Sequence, residues 1–233
     1  YPDRVIVGSE TRPDTIGENW ARVKKLDNVV GDFVWTAWDY IGESGVGRMD
    51  FDNPDSGMYA EYPWYIAYAG DIDICGNRRP ASYYREIIWG LRDKPYLAVH
   101  RPKNYGKRVH KSNWSWSDSV HCWTWPGFEG KETSVDVYSC AEEVELFLNG
   151  VSQGTKKVSE ADPTFPNCVR FNVTYQPGTL KAISFRNGEK VSEDDIVTTG
   201  GAARLSLKAE KAEMAADGHS LIYVSCEVVD GEG

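Results

Sequence analysis

The densest run of chemically capable side chains lies between residues 28 and 48, Asn-Val-Val-Gly-Asp-Phe-Val-Trp-Thr-Ala-Trp-Asp-Tyr-Ile-Gly-Glu-Ser-Gly-Val-Gly-Arg. Val29, Val30, Phe33 and Val34 read as a buried strand, and Trp35, Trp38, Asp39, Tyr40 and Glu43 follow it directly. Aromatic faces stack on the C–H faces of a pyranose and carboxylates hold its hydroxyls, so this grouping suits a sugar site. A tryptophan at a strand end more often packs in a core, so the grouping needs support from the rest of the chain.

The elements that would position these residues change character along the chain. From Arg4 to Ser9 a nearly continuous apolar run suits a parallel strand buried on both faces. Thr15 to Leu26 reads as a helix with Ile16, Trp20 and Val23 on one face, and Val29 to Trp35 as the next buried strand. A long loop rich in Gly, Asp, Pro and Tyr leads to a helix over Pro80 to Trp89, with Gly90 as its stop. Strand, helix, strand, loop, helix is the end of a βα-repeat fold.

Beyond residue 95 the period switches to two. Val144, Leu146 and Leu148 share one face, and Val169, Phe171 and Val173 alternate likewise. Asn149-Gly150 and Asn187-Gly188 are hairpin turns. Short strands at this spacing over 96–199 predict an antiparallel sandwich of immunoglobulin type. From 200 to 233 there is sequence for only two or three strands, with a turn at Asp217-Gly218, which predicts the start of a further sandwich. The expected organisation is therefore 1–95, 96–199 and 200–233, cut from a longer protein at both ends.

Composition narrows the function classes. The net charge is −9 without a Lys/Arg run, which argues against nucleic acid or an anionic membrane as partner. No apolar run approaches transmembrane length. The five cysteines are widely spaced, with no Cys-x-x-Cys and no histidine at ligand spacing, so neither a zinc site nor a complete disulfide framework is expected. Buried free thiols are favoured over a single disulfide. Asp50, Asp52 and Asp55 precede Gly57, but Pro54 breaks the calcium-loop spacing, and a solvated acidic loop is expected. No metal and no cofactor is called for. His100, His110, His121 and His219 have no visible partner and receive no role. Trp114, Trp116, Trp123 and Trp125 alternate as on one sheet face, which favours a core or domain interface over a glycan platform.

Two blocks carry a resemblance. Val5-Ile6-Val7-Gly8-Ser9-Glu10-Thr11 is a strand ending in Glu, and Gly31-Asp32-Phe33-Val34-Trp35-Thr36-Ala37-Trp38-Asp39-Tyr40 is the next strand with its loop, one helix away. Tyr62-Pro63-Trp64, Gly70-Asp71-Ile72-Asp73, Arg79-Pro80 and Trp89 support them, as do Trp123 to Lys131 and Val144 to Gly150. Together they resemble the family-2 glycoside hydrolases, the β-galactosidase and β-glucuronidase group.

The resemblance implies the C-terminal part of a (β/α)8 TIM barrel, an immunoglobulin-like β-sandwich and the start of a second. It implies that Glu10 is the nucleophile of a retaining exo-glycosidase, that Trp35 stacks on the sugar, and that Asp39, Glu43 and Trp38 contribute to substrate binding. Such an enzyme needs a second carboxyl about 5–5.5 Å from the first as acid/base. In the family that residue follows an Asn, and no Asn-Glu pair occurs here, so the isolated chain is expected to be inactive. The expected partner is a carbohydrate, a galactoside before a glucuronide or mannoside, because Asn77-Arg78-Arg79 only loosely resembles a glucuronidase's Asn-x-Lys pair. The resemblance alone implies a bacterial periplasmic or extracellular location, and homo-oligomerisation stays open. The alternatives from other classes are a carbohydrate-binding sandwich and a purely structural one.

Overall fold

The structure, a computed structural model, describes residues 1–233, with the side chain of Glu160 outside the described set. Strand β1 (Ile6–Thr11) leads through a 3-10 turn into helix α1 (Ile16–Lys25), and strand β2 (Val29–Val34) pairs parallel with β1. The expected strand–helix–strand unit is therefore present, with β1 shifted two residues toward the C-terminus. No closed barrel forms, and the chain is mostly sheet.

The expectation that both strands are buried is corrected. Val5, Ile6, Val7, Val30 and Phe33 are exposed, because β1 and β2 pair only with each other.

The loop that follows contains one short strand, β3 (Met49–Asp50), before helix α2 (Pro80–Ile88). Pro80 starts α2, where its missing N–H costs nothing, and Gly90 ends the turn at φ +73°. Trp20 of α1 and Trp89 behind α2 meet at 5.4 Å between ring centroids. No helix is long and apolar enough to cross a membrane.

Strand β4 (Tyr96–Val99) opens the sandwich, and β5 (His110–Lys111) reaches back to pair with β3. Strands β6 (Glu132–Tyr138), β7 (Glu143–Leu148), β8 (Val151–Lys157), β9 (Cys168–Thr174), β10 (Thr179–Arg186) and β11 (Glu189–Val197) complete it. One sheet has the order β4-β6-β9 and the other β11-β10-β7-β8, all antiparallel. Val144, Leu146 and Leu148 face Val135, Val137, Val169, Phe171 and Val173 in one buried cluster, as the period of two predicts. Asn149 and Gly150 both take positive φ, 51° and 80°, which a two-residue turn with the right-handed strand twist demands. Asn187 and Gly188 repeat this at 52° and 76°.

A second buried cluster joins Ile16, Tyr84 and Ile87 to Tyr96, Tyr138 and Cys168. The helical segment and the sandwich thus share a core, and Tyr1–Val197 forms one compact unit. Thr198–Gly233 forms another, in which β12 (Arg204–Ala209) and β13 (Val224–Val229) make an antiparallel pair.

Two further expectations are corrected. The segment carrying Trp114, Trp116, Trp123 and Trp125 is not a strand. Trp123 is fully buried and donates to the Gln176 carbonyl, while Trp116 donates to the Tyr138 hydroxyl, so these two indoles are fixed by different polar partners. The five cysteines are free, but Cys75 and Cys226 are exposed and only Cys168 is fully buried.

Candidate functional site

The parallel ladder places two of the singled-out residues side by side. Thr11 registers with Val34, and the Trp35 amide donates to the Thr11 carbonyl at 3.1 Å. Glu10 therefore stands one residue before the end of β1, next to the start of the Trp35 loop and exposed.

Tyr40 is the residue that gathers the group. Its ring meets Trp35 edge-on at 5.9 Å, and its hydroxyl donates to Glu43 Oε2. Burial pushes the phenol up to about 12. The bond to Glu43 and the charges of Glu43 and Glu10 act in the same direction, and a hydrogen bond with Trp35 opposes them. Trp35 and Glu43 thus meet on one phenol. Sequence reasoning saw Tyr40 only as an aromatic in the run. Its spacing of three from Glu43 was the available signal for the pair.

Trp38 lies elsewhere on the loop. It bridges to Ile72, its ring stands over Gly76, and it is half exposed.

Asp39 corrects an expectation. Its side chain has no exposed surface and pairs with Arg79, and Oδ1 accepts the Gly70 amide at 2.8 Å. Burial raises its carboxyl, and the amide and Arg79 offset only part of that. A carboxylate so enclosed holds the loop and not a hydroxyl of a substrate. Gly70 is required beneath it, since a Cβ there would fall 2.6 Å from the Asp39 amide nitrogen.

Three arginines shape this loop, Arg48 and Arg85 buried and Arg79 half-buried. Arg79 stacks on Tyr68 at 3.6 Å, Arg85 of α2 holds Asp71 at 2.7 Å, and Arg48 donates to the carbonyls of Gly45, Gly57 and Met58. Between them the arms 36–46 and 60–72 zip together, as in Ala67 N–H to Tyr40 O at 3.0 Å and Gly42 N–H to Tyr65 O at 2.9 Å. The loop that carries Tyr40 and Glu43 is thus clamped at its base. Arginines assigned no role in the sequence do this, because partners such as Met58 for Arg48 and Asp39 for Arg79 lie 10 and 40 residues away.

Two histidines also acquire partners. His100 bridges Asp118 at 2.9 Å and Asp136 at 2.7 Å, and Arg170 holds Asp136 at 2.6 Å. Burial lowers the His100 pKa, but the two carboxylate hydrogen bonds win and push it up to about 9. His121 meets Asp194 at 2.8 Å. Both join strands of the sandwich to the segment beside them. Among the described residues no cluster of His, Cys, Asp and Glu could hold a metal ion.

The chain is 37% identical to a glycosyl hydrolase family 2 member from Bacteroides cellulosilyticus, with a TM-score of 0.85, over 100% of this chain and 30% of that one. It is 29% identical to Beta-galactosidase BoGH2A of Bacteroides ovatus over 94% of this chain and 21% of that protein. A β-glucuronidase of the same family, 19% identical at a TM-score of 0.60, shares the fold over 95% of this chain and 20% of its own. A family model described as a domain of unknown function (DUF4982) matches residues 130–192, within the sandwich.

The homologues and structural neighbours of this chain are thus members of glycoside hydrolase family 2, and those with named activities are glycosidases. The chain spans between about a sixth and a third of the length of the relatives it matches.

Proposed function

We propose that this chain is the last part of a (β/α)8 catalytic barrel, with the sandwiches that follow it, in a retaining exo-glycosidase acting on terminal β-galactosides. The observation that carries this reading is the joining of Trp35 and Glu43 by Tyr40 in the loop after β2, beside the C-terminal end of β1 that carries Glu10. The exposed apolar residues along β1 and β2 support the barrel, since parallel strands of this composition normally lie in sheets covered on both faces.

In this reading Glu10 attacks the anomeric carbon and forms a covalent glycosyl-enzyme, which water then hydrolyses. A second carboxyl, outside this chain, protonates the leaving oxygen and later activates the water. Trp35 stacks on the sugar ring. Tyr40 holds Glu43 Oε2, which leaves Oε1 to accept a hydroxyl of the sugar. Trp38 forms the outer rim.

A galactoside is favoured over a glucuronide by the state of residues 77–79. Asn77 donates to Asp73, Arg78 pairs with Glu86, and Arg79 pairs with Asp39, so none is left over for a substrate carboxylate. A periplasmic or extracellular location is part of the same proposal.

The test is azide rescue in the longer enzyme. Glu10→Gly should abolish hydrolysis of an aryl β-galactoside. Azide should restore turnover and yield the α-galactosyl azide, because the anion attacks from the face the nucleophile vacated. A β-azide, or unchanged hydrolysis without azide, would sink the assignment. The isolated chain should not turn over the substrate at all.

A further inference from the structure

A cleft that shares the arginine clamps Arg48 and Arg79 but none of Glu10, Trp35, Trp38, Tyr40 and Glu43 opens elsewhere in the unit Tyr1–Val197. It lies between the loop around β3, the start of α2 and the segment that follows β4, and it encloses about 880 Å³. That volume is in the range of about 300–1,000 Å³ typical of small-molecule sites. Glu10, Trp35, Trp38, Tyr40 and Glu43 take no part in its walls.

The lining mixes three chemistries. Trp64, Tyr68 and Trp114 supply rings. Trp64 and Tyr68 stand edge-on at 6.0 Å, and Arg79 covers one face of Tyr68 while the ring stays 39% exposed. Asp50 and Asp52 supply carboxylates from one wall. Lys103 and Lys107 supply amines from another, and among the described residues neither is in an ion pair.

An anionic ligand would meet the carboxylates and a cationic one the lysines. A hydroxyl donates to the first and accepts from the second, so a neutral, hydroxyl-rich ligand satisfies both walls. Rings between such walls add the stacking surface that a sugar's C–H faces use.

We propose that this cleft is a second saccharide site, for a neutral oligosaccharide, that works apart from the Glu10–Trp35 cluster. It would hold a glycan chain to the protein whether or not Glu10 performs chemistry.

The 233-residue chain contains these lining residues, so it can be tested directly. Isothermal titration is run with neutral β-linked trisaccharides of galactose, glucose, mannose and xylose, and with trigalacturonate. At least one neutral trisaccharide should bind saturably and more tightly than trigalacturonate. Trp114→Ala should weaken it by about tenfold or more, and Tyr68→Leu, a second variant in case the first misfolds, by a similar factor. Trp35→Ala should leave it unchanged. The proposal is overturned if no neutral trisaccharide binds, if trigalacturonate binds better, or if Trp35→Ala removes binding while the two cleft variants keep it.

Discussion

Replacing Asp39 by alanine should unfold the loop's anchor without touching a sugar contact. The Asp39 side chain is fully buried and Arg79 is only 16% exposed, so the substitution strands a guanidinium with little access to water. Removing one partner of a buried pair costs about 3–5 kcal/mol. Arg79 keeps its stacking on Tyr68 and a bond to the Gly70 carbonyl at 3.3 Å, which places the expected loss at the lower end, about 3 kcal/mol. Asn at position 39 still offers an oxygen to the Gly70 amide and should cost less. Removing both charges in Asp39→Ala/Arg79→Met should cost clearly less than the sum of the single changes, because no unpaired charge is left behind. Urea unfolding of the four proteins, followed by tryptophan fluorescence, supplies the numbers. A loss below about 1 kcal/mol for Asp39→Ala, or strict additivity in the double variant, would refute the anchor and return Asp39 to the list of candidate sugar ligands.

Three other outcomes follow from the geometry. His100 has a folded pKa raised to about 9 from 6.5, so its contribution is complete below pH 6.5 and disappears as pH rises through 9. The shift corresponds to about 3 kcal/mol, and the stability gap between the native chain and His100→Gln should shrink by about that much from pH 6 to pH 9.5; a gap independent of pH contradicts the network with Asp118, Asp136 and Arg170. The Tyr40 phenol, pushed up to about 12, should stay neutral through pH 10, so the ultraviolet difference titration of the native chain against Tyr40→Phe should show no ionisation there; a tyrosinate signal near pH 10 would contradict its burial against Glu43. Leu146→Ala empties a fully buried position between the sheets and should cost about 3 kcal/mol in unfolding, against near-neutral effects at the exposed Val151.

The sandwich was the most legible part of the sequence. Its strands alternate with a period that one residue's slip would invert, and two Asn-Gly turns fix the register, so local pattern and final structure coincide. The helices over 16–25 and 80–88 were legible for the same reason, through apolar spacing and the Pro and Gly at the ends of α2. The burial of β1 and β2 was not, because an apolar run says a strand wants cover and not whether this chain supplies it. The loop from 35 to 79 was the least legible. Its order comes from Arg48, Arg79 and Arg85 reaching distant carbonyls and carboxylates, and no local period encodes such contacts. That is why Asp39 read as a sugar ligand although it is the partner of Arg79. It is also why His100 read as solitary with Asp118 18 and Asp136 36 residues away. The aromatic–carboxylate grouping itself was visible, while the part Tyr40 plays in joining Trp35 to Glu43 required the fold.

The most direct measurement is covalent trapping of the nucleophile. The longer enzyme is incubated with a 2-deoxy-2-fluoro-β-galactosyl inactivator, whose glycosyl-enzyme hydrolyses slowly, and the labelled peptide is sequenced by tandem mass spectrometry. The account predicts one fluorogalactosyl group, on Glu10. Label on Glu43 or on a carboxylate outside this chain, with Glu10 unmodified, would contradict it.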